Sequence, residues 1–126
     1  RICRTFARDE VREAVIPAYM GLIKQIDDQM GVLFDFLEER GLMETTMIAF
    51  TSDHGDYLGD HWMGEKDLFH DPSVKVPLIL YDPRPEAAAT RGTASDALVA
   101  AIALAPHVPQ LLWRRAQAAY PGRAQP

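Results

Sequence analysis

Between positions 53 and 67 the chain reads "DHGDYLGDHWMGEKD", which puts Asp53, His54, Asp56, Asp60, His61, Glu65, Lys66 and Asp67 within fifteen residues. A carboxylate and an imidazole side by side, Asp53 and His54, can address one cation if the backbone turns sharply, and Gly55 stands where it would supply that turn. A mixed oxygen and nitrogen donor set suits Mn or Zn, and suits Ca or Mg less well because those hard ions prefer oxygen. Lys66 lies in the same stretch, and a flexible ammonium there could neutralise an anionic oxygen of a substrate. Each residue also has a plainer reading. Asp53 after a strand can simply bond backbone amides in a capped turn, and Asp56 and Asp60 can do the same. Lys66 can be a solvated surface lysine. His61 and His70 read as structural, and Tyr57, Leu58, Trp62, Met63 and Phe69 as residues that pack the loop against the body.

The surrounding pattern is one of helices and strands that would hold such a loop. From Asp9 to Arg40, Val11, Val15, Tyr19, Leu22, Ile26, Met30, Leu33 and Leu37 recur at helical spacing. Pro17 and Gly21 interrupt that run, which predicts a short first helix or turn and then a strong second helix. Gly41 marks its C-terminal stop. Thr45 to Thr51 and Val74 to Tyr81 read as strands, the second ended by Asp82-Pro83-Arg84-Pro85. Ala94 to Ala105 is a candidate helix with Thr93 or Ser95 as N-cap, stopped by Pro106. The helix–strand order predicts an α/β fold, with helices packed on a mixed sheet. In such a sheet ligands bind beyond the carboxyl ends of strands, which is where Asp53 and His54 fall. The irregular stretch from Ser52 to Pro72 is long enough that a functional role is expected of it.

Bulk properties narrow the classes. The chain has 126 residues, room for one small domain, and 48% of them are hydrophobic, enough for a packed core. Its net charge of −5 argues against a nucleic-acid partner. No apolar run approaches a membrane span, so no membrane partner is expected. Cys3 is the single cysteine, which rules out an internal disulfide. No apolar h-region follows Arg1 and Arg4, and the expected location is cytoplasmic.

The run "TSDHGDYLGDHWMGEKDLFHDPSVKVPLILYDP" resembles the C-terminal catalytic-loop region of the sulfatase family, within the alkaline phosphatase superfamily. It is most like the branch of phosphonate monoester hydrolases and related arylsulfatases. The upstream stretch "YMGLIKQIDDQMGVLFDFLEERGLMETTMIAFTSDHG" is similar to the same family, and the likeness covers Asp9 to Ser95. The resemblance implies that Asp53 and His54 are metal ligands and that Lys66, in Gly64-Glu65-Lys66, contacts the transferable group of the substrate or its bridging oxygen. It implies a divalent metal (Mn, Ca, Mg or Zn), a small anionic ester as substrate, and a formylglycine nucleophile made from Cys-x-Pro-x-Arg. This chain departs from the last of these. Cys3 is followed by Arg4-Thr5-Phe6-Ala7, with Thr5 where the motif has Pro and Ala7 where it has Arg, so Cys3 is not the nucleophile. The family's N-terminal Asp ligands and histidine acid are absent too. Residues 1–105 therefore read as the C-terminal part of a sulfatase-like catalytic domain, and 106–126 as a divergent, disordered tail. Two expectations follow for the isolated chain. It should be an inactive remnant or a partner-dependent subunit, and it should self-associate or need the missing N-terminal half.

Overall fold

The computed structural model describes residues 3–104. The expected disordered tail lies outside them. The chain divides into two units, one ending at Gly92 and the other beginning at Thr93. In the first unit a short helix α1 (Cys3–Phe6) precedes a long helix α2 (Asp9–Glu39). Strand β1 (Ile48–Thr51), a short helix α3 (Asp71–Val74) and strand β2 (Leu78–Tyr81) follow, with 3-10 turns at Asp60–Trp62 and Pro85–Thr90. Among the described residues no helix is long and apolar enough to cross a membrane.

Helix α2 is continuous where an interruption at Pro17 and Gly21 was expected. Proline in a helix removes one backbone donor and crowds the preceding turn, at a cost on the order of 3 kcal/mol. Here Pro17 is exposed, and half-buried Val11, Arg12, Val15, Ile16 and Tyr19 supply tertiary packing on the turns around it. Asp9 and Glu10 place negative charge at the positive end of the helix dipole. The stop is as the sequence predicts. Gly41 takes φ 63°, its N–H bonds Glu38 O at 2.9 Å, and Leu42 N–H bonds Leu37 O at 2.8 Å. That pair of bonds is a Schellman motif, and Leu37 beneath it is buried.

The α/β reading holds, with the sheet among the described residues formed by β1 and β2 alone, paired antiparallel with Ile48 opposite Tyr81 and Thr51 opposite Leu78. Both strands start later than expected. Residues 43–45 form a turn, closed by Thr45 N–H to Leu42 O at 3.0 Å, so β1 starts at Ile48 rather than Thr45. Pro72 opens α3, and Pro77 has no N–H to give to a ladder, so β2 starts at Leu78 rather than Val74. The Tyr81 hydroxyl donates to Met43 O at 3.2 Å and fastens the far end of the pair. Beyond it Arg84 forks both carboxylate oxygens of Asp82, which turns the chain out of the strand.

The antiparallel pairing has one consequence for function. The end of β1 and the start of β2 are neighbours, so everything from Ser52 to Pro77 hangs as one lobe from a narrow neck. Helix α1 packs on α2 and on the Asp60–Trp62 turn of that lobe. Phe6 lies on Gly64 and the Arg12 stem on Gly59, so close that a Cβ at either glycine would stand 2.0 or 2.3 Å from them.

In the second unit residues 93–100 are not helical, and a single turn spans 101–104. The expected helix from Ala94 is thus not formed over most of its length. Ser95 does bond a backbone amide, accepting from Ala97 N–H at 3.2 Å, but as a local turn. A twelve-residue helix is marginal in water unless an apolar face is packed, and Leu98, Val99 and Ile102 are all exposed.

Candidate active site

Asp53 and His54 leave β1 at the neck of the lobe. The Ser52 hydroxyl donates to His54 O at 2.7 Å, and His54 N–H donates to Asp53 Oδ1 at 2.9 Å. The second bond leaves Asp53 Oδ2 facing the His54 ring, 3.6 Å from Nε2. The same His54 N–H is the main reason the Asp53 carboxyl is held below the usual carboxylate range; desolvation opposes it, and the Lys66 ammonium adds to it. Asp53 is therefore an anion at neutral pH.

The His54 ring is oriented by Gly55. Its Nδ1 lies 2.7 Å from Gly55 O, and a carbonyl can only accept, so Nδ1 carries the proton and Nε2 presents a lone pair. An imidazole fixed in this way by a backbone carbonyl is how metal-binding histidines are commonly held. The donor types and the tautomer thus fit a shared divalent ion. Among the described residues no group of three or more His, Cys, Asp or Glu side chains converges to complete a ligand set.

Lys66 arrives from the opposite side of the lobe. Its Nζ stands 2.5 Å from His54 Nε2, so the three residues singled out by sequence meet at one point. One lone pair cannot serve both an ammonium and a metal ion.

Gly55 does something other than the expected sharp turn. Its φ is not in the left-handed region, which among the described glycines is adopted by Gly41, Gly59 and Gly92. Its importance is close approach. Gly55 N–H donates to Ser73 O at 2.8 Å, and a Cβ on Gly55 would stand 1.9 Å from Pro72 O. This is the neck of the lobe, drawn tight.

Asp56, His61 and His70 help to build the loop. Asp56 caps a turn, accepting Leu58 N–H at 2.8 Å. His61 and His70 stack at 4.4 Å between centroids, and both set their edges against Tyr57. Tyr57 is buried to 2% exposure, and its hydroxyl contacts both Leu68 O and His70 Nδ1. Sequence reasoning assigned Tyr57 to packing and missed that it ties the two sides of the loop together. No periodicity or motif spacing carries that signal.

The family model described as Sulfatase matches residues 3–112. The chain is 41% identical over 78 residues to the multifunctional alkaline phosphatase superfamily protein PehA of Trinickia caryophylli, an alignment that covers 62% of this chain and 15% of that protein. It is 42% identical over 66 residues to an arylsulfatase of Clostridium perfringens, covering 52% of this chain and 14% of the relative. A choline-sulfatase of Rhizobium meliloti is 38% identical over 66 residues, 52% of this chain and 13% of the enzyme. The chain thus spans about a seventh of the length of these relatives. With the family match running over most of its residues, the chain belongs to the sulfatase family, in the alkaline phosphatase superfamily.

Proposed function

We propose that this chain is the C-terminal segment of a metal-dependent hydrolase of phosphonate or phosphate monoesters or sulfate esters, and that it carries half of the active site. The observation that supports this most directly is the meeting of Asp53 Oδ2, His54 Nε2 and Lys66 Nζ at the neck of one loop. Asp53 and His54 would hold the divalent ion (Mn, Zn, Ca or Mg), which when bound supplies Lewis-acid polarisation of the ester's oxygens. Lys66 would bind the non-bridging or bridging oxygen of the tetrahedral group, as a compact positive charge suited to a spread anionic charge. A formylglycine nucleophile would come from a Cys-x-Pro-x-Arg stretch that this chain does not contain, since Cys3 is followed by Arg4-Thr5-Phe6-Ala7. That same stretch favours a second reading, in which the chain by itself is an inert remnant or a subunit that acts only with its complement.

The two readings share a test. Calorimetric titration of the isolated chain with Mn or Zn should give loose binding, with Kd on the order of 10⁻⁴ M or weaker, because two protein ligands leave most of the coordination sphere to water. Asp53→Ala should weaken it further, by about tenfold or more. Tight binding indifferent to both Asp53→Ala and His54→Ala would remove the metal assignment. The isolated chain should not turn over aryl phosphonates or aryl sulfates, since nucleophile and ion act as one unit with strongly non-additive effects. Turnover by highly purified chain that disappears in Lys66→Ala would instead show that a nucleophile is present after all.

A further inference from the structure

We infer that Tyr57 is a positioning residue for this site: its backbone and hydroxyl clamp the chain on both sides of Lys66 and so set the ammonium on His54. The inference rests on the reading of Asp53, His54 and Lys66 as the working groups, and adds to it a residue that touches neither ion nor substrate.

The geometry is specific. Tyr57 N–H donates to Glu65 O at 3.0 Å, one residue before Lys66. The Tyr57 hydroxyl lies 3.0 Å from Leu68 O, two residues after it. A phenol has one proton, and Leu68 O can only accept, so the proton goes there. The contact of 2.9 Å with His70 Nδ1 must then be donated by the imidazole, with His70 N–H adding a longer bond of 3.4 Å to the same oxygen. Tyr57 is itself three residues from His54, on the segment pinned to Ser73 through Gly55. Its bonds therefore fix the distance across the lobe that the Lys66 side chain has to span.

The backbone between the clamps needs such a hold. Leu58, His61, Trp62 and Glu65 all have φ between 47° and 61°, four non-glycine residues in the left-handed region within an eight-residue stretch. Each is a conformation that persists only where surrounding bonds over-determine it. Glu65, the residue that aims Lys66, is one of them, and its carbonyl is the one bonded by Tyr57. The buried phenol also explains the stacked His61–His70 pair. His70 serves Tyr57 through Nδ1, and His61 lies against the face of His70.

The test uses the 15N-labelled 126-residue chain without added metal, carrying Ile26→Glu and Leu33→Glu on the exposed apolar side of α2 to keep it from associating, read by long-range proton–nitrogen correlation of the imidazoles. The His54 Nε2 shift reports the Lys66 hydrogen bond, and Lys66→Ala gives its value without that bond. Tyr57→Phe should move the His54 Nε2 signal most of the way to the Lys66→Ala value. Introduced into Lys66→Ala, Tyr57→Phe should move it no further, which general loosening of the loop would not reproduce. A Tyr57→Phe chain in which only His70 shifts, with His54 Nε2 unchanged, would overturn the inference and leave Tyr57 a packing residue. Should Tyr57→Phe fail to fold by circular dichroism, His70→Leu probes the same clamp from its exposed side. It should move His54 Nε2 part of the way, and no movement would overturn the inference equally. A separate arm adds Mn. Broadening of the His54 signals that Asp53→Ala abolishes supports the metal reading. Absence of broadening sinks that reading while leaving the clamp test as it stands.

Discussion

Gly55→Ala should lower the unfolding free energy of the chain by roughly 2–3 kcal/mol, at the upper end of overpacking costs, and should abolish its Mn binding. The methyl would meet backbone rather than the yielding end of a side chain. Its ideal position is 1.9 Å from Pro72 O and 3.0 Å from Pro72 C. Relief requires the segment carrying Pro72 and buried Ser73 to move away, and that breaks the 2.8 Å bond from Gly55 N–H to Ser73 O. The damage reaches the site at once, because Gly55 O is the acceptor that fixes the His54 ring. The φ of Gly55 is one that alanine adopts without strain, so the variant isolates the steric effect. Gly31→Ala is the matched control. Gly31 lies within α2 with open space where a Cβ would be, and the same substitution there should stabilise by about 1 kcal/mol through helix propensity. Urea melts by circular dichroism at one fixed protein concentration, with Mn titrations alongside, would read both. A Gly55→Ala chain with wild-type midpoint and wild-type Mn affinity would show that the neck does not control the site.

The contrast between those two glycines shows how far a sequence could be read here. Local rules worked where the deciding interaction is local. Gly41 and Leu42 close α2 by bonds to residues three and five positions back respectively, and the apolar run before Asp53 does form β1. Asp53 and His54 could be paired from adjacency alone, because neighbours at a strand exit cannot move far apart. The meeting with Lys66 came from family resemblance, since twelve positions of irregular loop fix no distance. Rules failed where a distant partner decides. Pro17 reads as a break, yet the turns on either side are held by packing that periodicity does not weigh. Gly55 reads as a flexible hinge, yet it is needed because Pro72, seventeen residues away, presses against it. Tyr57 reads as one more aromatic, and its role is visible only once Glu65, Leu68 and His70 are seen around it. Val74 to Tyr81 alternates like a strand, and two prolines shorten it by half.

The isolated chain should self-associate, and surface substitutions on α2 should reverse this. Among the described residues Leu37 and Tyr57 are the only buried hydrophobic side chains. Along α2, Leu22, Ile26, Leu33 and Phe36 follow one another at helical spacing on one side, and all are at least 44% exposed. In β2, Ile79 and Leu80 are 62% and 61% exposed. Adjacent strand residues point to opposite faces, so neither face of the sheet is covered at that strand. A two-stranded sheet also leaves each strand with an outer edge whose backbone groups seek partners, and a pair of strands alone is marginal in water. Burying apolar surface gains about 25 cal/mol per Å², so contact with further chain is favoured on both elements. The net charge of −5 opposes association, and in moderate salt that repulsion is screened beyond about 10 Å. The expected result in sedimentation velocity is oligomers at concentrations of about 10–100 µM, with 8-anilinonaphthalene-1-sulfonate bound at the residual apolar surface. Ile26→Glu with Leu33→Glu places two like charges seven residues apart on the exposed stripe and should raise the concentration for half-association by about tenfold or more, a change near 1.4 kcal/mol. Co-expression with a polypeptide supplying the remainder of a sulfatase domain should also suppress oligomers if the uncovered surfaces are those that the larger domain buries. A wild-type chain that stays monomeric across this range, with a single steep unfolding transition, would show instead that α2 and the β1–β2 pair are stable with their apolar faces in water.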